Sequence, residues 1–367
     1  MADNQLPTTT DPKQDRTQLR PGEVFWRDHQ QWLQERGYML RPRYRPGWVA
    51  SWKDKDPMYW NYEDSKWLKA DHVIDATRIS DGELVVLKRV SHAEHPYEKE
   101  ISLFFSQEPI ASHPHNHCVP IYDVLDLPED DDYFILVMPL LREYDNPRIK
   151  SIGEAVEFFR QLFEGLQFMH HCCVAHRDCM NLNIMMDPKP LFPQMFHPRD
   201  DRRTLDFKGT AKYYTRTARP TKYFFIDFGL SRKYHPGDMP PVEPVIFGGD
   251  KTVPEFTEPY DPVNPFPTDI YYVGNLIRED FLQKTTGLEF MGPLVADMVQ
   301  DDPSERPNID EVIRRFEQIR RSLSWWTLRS RIVENDEARG DRVARAVHHF
   351  IRTLVHVVRF RNPVPTP

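Results

Sequence analysis

Three polar side chains in two short motifs are the residues of this chain best arranged for chemistry. Asp178 and Asn183 lie in His176-Arg177-Asp178-Cys179-Met180-Asn181-Leu182-Asn183, and Asp227 lies in Ile226-Asp227-Phe228-Gly229. A carboxylate, an amide five residues later and a second carboxylate downstream are the groups that phosphoryl transfer requires. One carboxylate takes the proton of an incoming hydroxyl, and the other two side chains place hard oxygens on the magnesium that bridges the phosphates. Asp178 fits the first task, and Asn183 with Asp227 the second. A decoy, Asp206-Phe207-Lys208-Gly209, carries lysine where the turn glycine should stand and is set aside. His170, His171, Cys172, Cys173, His176 and Cys179 crowd the same region, but their spacing matches no standard zinc pattern. His176 is read as a core histidine that positions the loop.

Positioning such groups takes strands and helices on both sides. Apolar residues Val156, Phe159, Leu162, Phe163, Leu166 and Met169 recur at helical spacing, which predicts a helix from Ile152 to His171 that ends just before the first motif. Val73 to Val90 reads as two strands around a turn at Ser80-Asp81-Gly82-Glu83, the second delivering Lys88. Val119–Leu125 and Tyr133–Met138 read as two more, split by an acidic turn at 128–132. Upstream, one helix is predicted over 23–36 with Gly37 as its stop. The basic and aromatic stretch 38–48 is read as a Pro-rich segment laid on the domain surface, in preference to a platform for nucleic-acid bases.

The chain has 367 residues, 40% of them apolar, and a formal net charge of −8, so it can bury a core and offers no general case for nucleic-acid binding. Four cysteines without a secretory apolar stretch point to a reducing, intracellular setting, cytoplasmic or nuclear. No apolar run approaches the roughly 18 residues of a membrane span.

The ordered motifs resemble those of eukaryotic protein kinases, over about Val73 to Leu323. Further matches are Val253-Pro254-Glu255 where Ala-Pro-Glu closes the activation segment, Asp269 at the start of the next helix, and Arg306 in Asp302-Pro303-Ser304-Glu305-Arg306-Pro307. Small-molecule kinases of the aminoglycoside phosphotransferase type share the Asp, Asn and second Asp but not Glu255, Asp269 and Arg306 in order. The 38–48 segment and the Cys179-Met180 variant are also similar to a divergent group of fungal kinase-like proteins. The resemblance implies an α+β, bilobal fold with a small β-rich N-lobe (66–141) and a larger helical C-lobe (142–323). Outside these lobes stand a disordered arm (1–22), an extension with one helix (23–65) and a helical tail (324–367).

For the site, the resemblance implies ATP and Mg²⁺ as cofactors and a protein substrate. Lys88 would hold the α- and β-phosphates with Glu100 as its partner, leaving Glu98 to solvent. Val73, Val86, Met138, Leu140 and Met185 would enclose the nucleotide, with Met138 at the back of the adenine pocket. Asp178, Asn183 and Asp227 take the catalytic roles, the last two on metal. His176, Arg177, Phe228, Gly229, Glu255, Asp269 and Arg306 are structural, Glu255 and Arg306 as a buried ion pair and Asp269 as an acceptor for the catalytic-loop backbone.

Several departures bear on activity. No glycine occurs between Gly47 and Gly82, so the phosphate-covering loop is replaced by 66–72, where Lys66 or Lys69 could supply charge. Met180 stands where serine/threonine kinases carry a lysine that contacts the γ-phosphate, and Val86 replaces a small residue. Only residues 270–305 separate Asp269 from Arg306, room for about two helices. These departures favour a pseudokinase scaffold, and the retained polar groups favour an enzyme. The segment at about 188–222 is a basic insertion, read as a solvated surface loop. The tail combines arginines with an apolar stripe over 343–358. Packing on the domain is expected, with peripheral contact to anionic lipid or a partner as the alternative.

Overall fold

The computed structural model describes residues 15–55, 58–128, 130–257 and 261–367. The first fourteen residues of the polar arm and Glu129 of the acidic turn lie outside that range. The chain packs as two compact units, the described residues through Lys88 with Phe196–Ala211, and Arg89–Met195 with Lys212–Pro367.

In the first unit the expected single helix is two, α1 (Pro21–Asp28) and α2 (Gln30–Glu35). The break falls at His29, whose ring nitrogen bonds the Phe25 carbonyl at 2.8 Å beside the His29 backbone N–H on the same carbonyl at 3.1 Å. Gly37 ends α2 with φ +92°, a conformation that costs other residues a Cβ clash. Strand β1 (Tyr38–Leu40) then pairs antiparallel with β2 (Val73–Arg78), which pairs with β3 (Leu84–Ser91) through the turn at Gly82, φ +75°. Residues 41–72 thus fill the connection between the first two strands, where the family places a glycine-rich turn.

That connection is packed, not laid on a surface. Arg43 is fully buried, bidentate on Glu23 of α1 at 3.0 and 2.9 Å, with further bonds to the carbonyls of Asp64 and Gln18. Arg41 is shared between Asp75 and Glu63, and Trp48 donates to Asp64 at 3.0 Å. The cations of 38–48 are therefore largely spent inside the protein. The described end of the arm is also held, with Arg16 3.8 Å above the Trp67 ring and α1 beginning at Pro21. Nor is the basic insertion simply a solvated loop. Phe196–His197 and Asp200–Thr204 form a hairpin in which Phe196 and His197 are buried, and His197 bonds Glu63 at 3.0 Å. Charge count concealed this, because Asp200 is paired with Lys66 at 3.0 Å and Arg199 bonds the Trp67 carbonyl.

In the second unit, α3 (Glu98–Ser106) is followed by the antiparallel pair β4 (Asp123–Asp126) and β5 (Tyr133–Pro139). Val90, at the end of β3, packs with Phe134 and Leu136 of β5. The long helix α4 (Ile152–His171) starts where the N-cap Ser151 accepts the Glu154 N–H, and the Glu154 carboxylate accepts the N–H of Lys150 just ahead of the cap. It is buried nearly all round, and at Gly165 a Cβ would stand 2.6 Å from His117 and 2.8 Å from Phe225. Helix α5 (Pro265–Ile277) meets the end of α4 at His170, α6 (Gly292–Met298) packs on α5, and α7 (Ile309–Ser322), capped by Asn308 accepting the Glu311 N–H at 3.0 Å, packs on both α4 and α6.

The tail departs from expectation. Short helix α8 (Trp325–Arg329) precedes α9 (Arg339–Val358), and the chain end crosses the start of α4 so closely that Gly153 has no room for a side chain against the Pro363 carbonyl. The apolar stripe of α9 faces solvent, because the helix docks by its His349 and His356 side instead.

Burial separates the ion pairs by weight. Breaking a fully buried pair typically costs ~3–5 kcal/mol, whereas an exposed one contributes about 0–1 kcal/mol. Glu23→Ala is therefore expected to lower stability by about that larger amount in urea unfolding followed by tryptophan fluorescence. Asp81→Ala, which removes the exposed partner of Arg78, should shift the midpoint little; equal shifts would refute the burial argument.

Candidate active site

The first motif is held from below by one buried carboxylate. Asp269 of α5 is fully buried, and its oxygens accept the His176 N–H at 2.8 Å, the Arg177 N–H at 2.7 Å and His170 Nε2 at 3.0 Å. Arg177 has φ +69°, a backbone state that persists only where its surroundings enforce it. Its guanidinium reaches Glu243 at 2.7 Å. His176 is buried, bonds the Ile226 carbonyl at 3.1 Å through Nε2, and is held toward its neutral form mainly by desolvation. Its ring meets Phe228, which in turn packs on Phe105 of α3 with centroids 5.7 Å apart. Of the histidines and cysteines that crowd this region in sequence, His171 goes to Asp310, while Cys179 Sγ joins His170 and His176 on Asp269.

On this base the three chemical side chains share one short path. Asn183 turns its amide NH₂ onto Asp178, to the main-chain carbonyl at 2.8 Å and to Oδ2 at 2.9 Å. Its Oδ1 is thereby directed away from Asp178 as an acceptor. The Ile226 N–H bonds the Asn183 carbonyl at 3.0 Å, which ties the second motif to the first one residue before Asp227. Asp227 is exposed with φ +65°, a conformation aspartate tolerates better than most residues. An amide oxygen and an exposed carboxylate on tied loops form a donor set of the kind a hard divalent cation takes, so the residues present fit Mg²⁺. Gly229 sits against His95, where a Cβ would stand 2.8 Å from Nδ1.

Asp178 has a carboxyl pushed up to about 6. Desolvation is the largest cause and the charge of Asp227 adds to it; the Gly249 N–H on Oδ1 at 2.7 Å and the Asn183 amide pull the other way. Desolvation wins.

The strand residues fall on both sides of the unit boundary. In the first unit Val73 stands opposite Lys88, and Val86 lies two residues before it on β3, so the three share one face of the β2–β3 ribbon. Lys88 is buried and both valines are half-buried. In the second unit Met138 is half-buried one residue before the end of β5, Leu140 is buried, and Met185 pairs with Phe224 and Glu143 in a small three-stranded sheet. The expected orientation of the α3 glutamates is reversed. Glu98 is buried on the face that carries Ile101, Ser102 and Phe105, and Glu100 is exposed. Two residues are about 200° on a helix, so a stripe phased on 98, 101, 102 and 105 leaves 100 outside. Lys66, one of two cations considered for the missing glycine loop, is paired with Asp200, while Lys69 is exposed.

Glu255 and Arg306 form a two-pronged pair, both bonds 2.8 Å, with Thr268 also donating to the carboxylate. Sequence reasoning passed over the segment that touches Asp178. At Gly248 a side chain would collide with the Tyr272 hydroxyl and reach 2.7 Å from Asp178 Oδ1, and at Gly249 it would collide with Met180 Sδ. Lys251 Nζ, bonded to the Gly248 carbonyl at 2.7 Å, adds positive charge that acts on Asp178. The paired glycines were the available signal.

Residues 70–245 match the family model described as protein kinase domain. No curated protein matches the chain. The match takes in β2, β3 and both motifs and stops short of Glu255, Asp269 and Arg306, which follow it in the order the motifs require. With that domain matched, and with strands preceding a helical part built on α4 and α5, the chain has an α+β protein-kinase-like fold, and its residues 70–245 are a protein kinase domain.

Proposed function

We propose that the protein is a protein kinase that transfers the ATP γ-phosphoryl to a protein hydroxyl, serine or threonine in preference to tyrosine, inside the cell. The observation that carries this reading is the joining of Asp178, Asn183 and Asp227 through the Asn183 amide and the Ile226–Asn183 backbone bond. Asn183 Oδ1 and Asp227 are the proposed metal ligands, and Asp178 accepts the hydroxyl proton. Bound Mg²⁺ would neutralise charge on the β- and γ-phosphates and hold them in line. Lys88 is proposed to hold the α- and β-phosphates. Val73, Val86, Met138, Leu140 and Met185 are proposed to enclose the adenine. A carboxyl near 6 suits a general base at neutral pH, because it is ionised yet basic enough to take a proton.

One specific observation supports a second reading, a pseudokinase that binds partners without turnover. Met180 removes a cation from the transferring phosphoryl, and the Gly249 N–H already occupies one Asp178 oxygen. We assign Lys251 part of the missing charge.

Thermal-shift titration with nucleotide and Mg²⁺ tests the binding step. Asp227→Asn should weaken Mg²⁺-dependent nucleotide affinity by about tenfold or more with an unchanged melting temperature of the free protein. Equal affinity in both proteins would remove Asp227 from the metal site.

Single-turnover transfer from labelled ATP tests the chemistry, with Asp178→Asn as control. Met180→Lys should raise the rate about tenfold, equivalent to about 1.4 kcal/mol, with little change in affinity. Lys251→Met should lower it, and adding Met180→Lys should restore it. If wild type and Met180→Lys both stay at the control rate with Mg²⁺-ATP bound, the scaffold reading replaces the enzyme.

The base must be ionised to accept a proton. Below about 6 the rate should therefore fall about tenfold per pH unit, levelling above about 7. A flat profile between pH 5 and 7, at rates above the control, would exclude Asp178 as base.

A further inference from the structure

Helix α9 turns its amphipathicity inside out. Residues at 343, 347, 350, 354 and 358 recur every three or four positions and so share one face, and that face is open to solvent, with Val343 66%, Phe350 62% and Val358 74% exposed. The opposite face holds the helix to the protein through polar groups. His349 Nε2 bonds the Arg329 carbonyl at 2.8 Å, His356 is buried with Nε2 3.4 Å from the Thr215 hydroxyl, and Arg345 pairs with Glu334 at 3.2 Å. An apolar face of this extent on a folded protein marks an interaction surface.

Charge decides what covers it. Residues 339–361 carry six arginines and one acid, Asp341, within a chain of net charge −8. Arg339 and Arg342 stand exposed at one end of the stripe and Arg359 at the other, and among the described residues none of the three is in an ion pair. Two copies packed face to face would oppose these arginines with no carboxylate on the stripe to offset them. An anionic bilayer answers both features, taking apolar side chains into the acyl boundary and cations at the headgroups. Exposed aromatics suited to that boundary lie nearby in sequence, Trp326 at 72% on α8 and Phe360 at 96% just after α9. Among the described residues no helix is long and apolar enough to cross a membrane, which leaves the in-plane mode.

We propose that α9 is an interfacial anchor that lies in the plane of an anionic phospholipid surface, with the face through Val343, Val347, Phe350, Leu354 and Val358 inserted and Arg339, Arg342 and Arg359 at the headgroups. The inference is independent of the catalytic reading.

Vesicle flotation of the full chain tests it. The protein should float with phosphatidylserine-containing vesicles, should not float with phosphatidylcholine alone, and should be released as salt is raised. Phe350→Glu with Leu354→Glu should cut binding by about tenfold or more at an unchanged melting temperature, because both side chains already face solvent. Should that variant melt early, Arg339→Glu with Arg342→Glu carries the test, and should lose the preference for phosphatidylserine. Failure of the wild type to float, or equal flotation of wild type and the charge variant, overturns the proposal. A wild-type dimer in light scattering that the apolar variant converts to monomer, without vesicle binding, assigns the face to a second copy and overturns it equally.

Discussion

The loop that carries the proposed catalytic residues Asp178 and Asn183 hangs on the Asp269 carboxylate. A buried carboxylate is costly unless its oxygens are satisfied, and here two main-chain N–H groups and a histidine converge on it from the loop and from the end of α4. The same contacts hold Arg177 at φ +69°, in a region that costs of order 1–3 kcal/mol. The exchange is mutual. The loop supplies the donors that satisfy the buried Asp269 oxygens inside α5, and Asp269 supplies the constraint that holds the loop in a shape it would not keep in isolation. Asp178 and Asn183 follow within six residues, so their placement descends from that contact.

Much of this was legible in the sequence because it depended on local spacing. The helix Ile152–His171 has the predicted bounds, its apolar positions being numerous enough to fix the phase. Strands β2 and β3 and their turn at Gly82 followed from alternation and a glycine whose φ is positive. What failed was decided by a single residue of phase or by long-range partners. Glu98 and Glu100 are chemically identical, and only the stripe through Ile101 and Phe105 tells them apart. The turn at His29 that divides the upstream helix in two has no counterpart in the apolar spacing of 23–36. The arginines at 41, 43 and 199 look like surface charge in composition, yet their carboxylate and carbonyl partners lie 20 or more residues away.

The missing glycine loop gains a physical reading from those arginines. Between β1 and β2 the family uses glycines so that backbone can approach phosphate, whereas this chain inserts 41–72 and ties it to α1 through the buried Glu23–Arg43 pair. Arg43, Tyr44, Trp52 and Leu68 are buried within it. A connection anchored at so many points is shaped by its own packing. Whatever covers a nucleotide there must do so with side chains and a fixed backbone, not with a pliable turn.

Glycines appear instead beside the base. At Gly248 the Tyr272 hydroxyl and Asp178 leave no space for a Cβ, and the next N–H bonds Asp178 directly. That bond could be taken to block the base, but its size argues otherwise. Exchanging one hydrogen-bond donor for another changes stability little, since the net value of a typical hydrogen bond is about 0.5–1.5 kcal/mol and the incoming hydroxyl offers a donor of its own. A carboxylate oxygen also has two lone pairs, so the Gly249 N–H and a substrate hydroxyl are able to share Oδ1. The contact that matters more for the proposed chemistry is the close approach of Met180 Sδ to Gly249, because it puts an uncharged group where the kinase resemblance has a lysine. Occupation of Asp178 is reversible at small cost, whereas the charge absent at 180 has to come from elsewhere in the chain. Lys251, fixed on the Gly248 carbonyl and acting on Asp178, lies on the same segment that covers the base. The Gly249 N–H on Asp178 and the Lys251 ammonium on the Gly248 carbonyl thus sit on one stretch of backbone, so the cover over the proposed base and the proposed substitute charge come from the same segment.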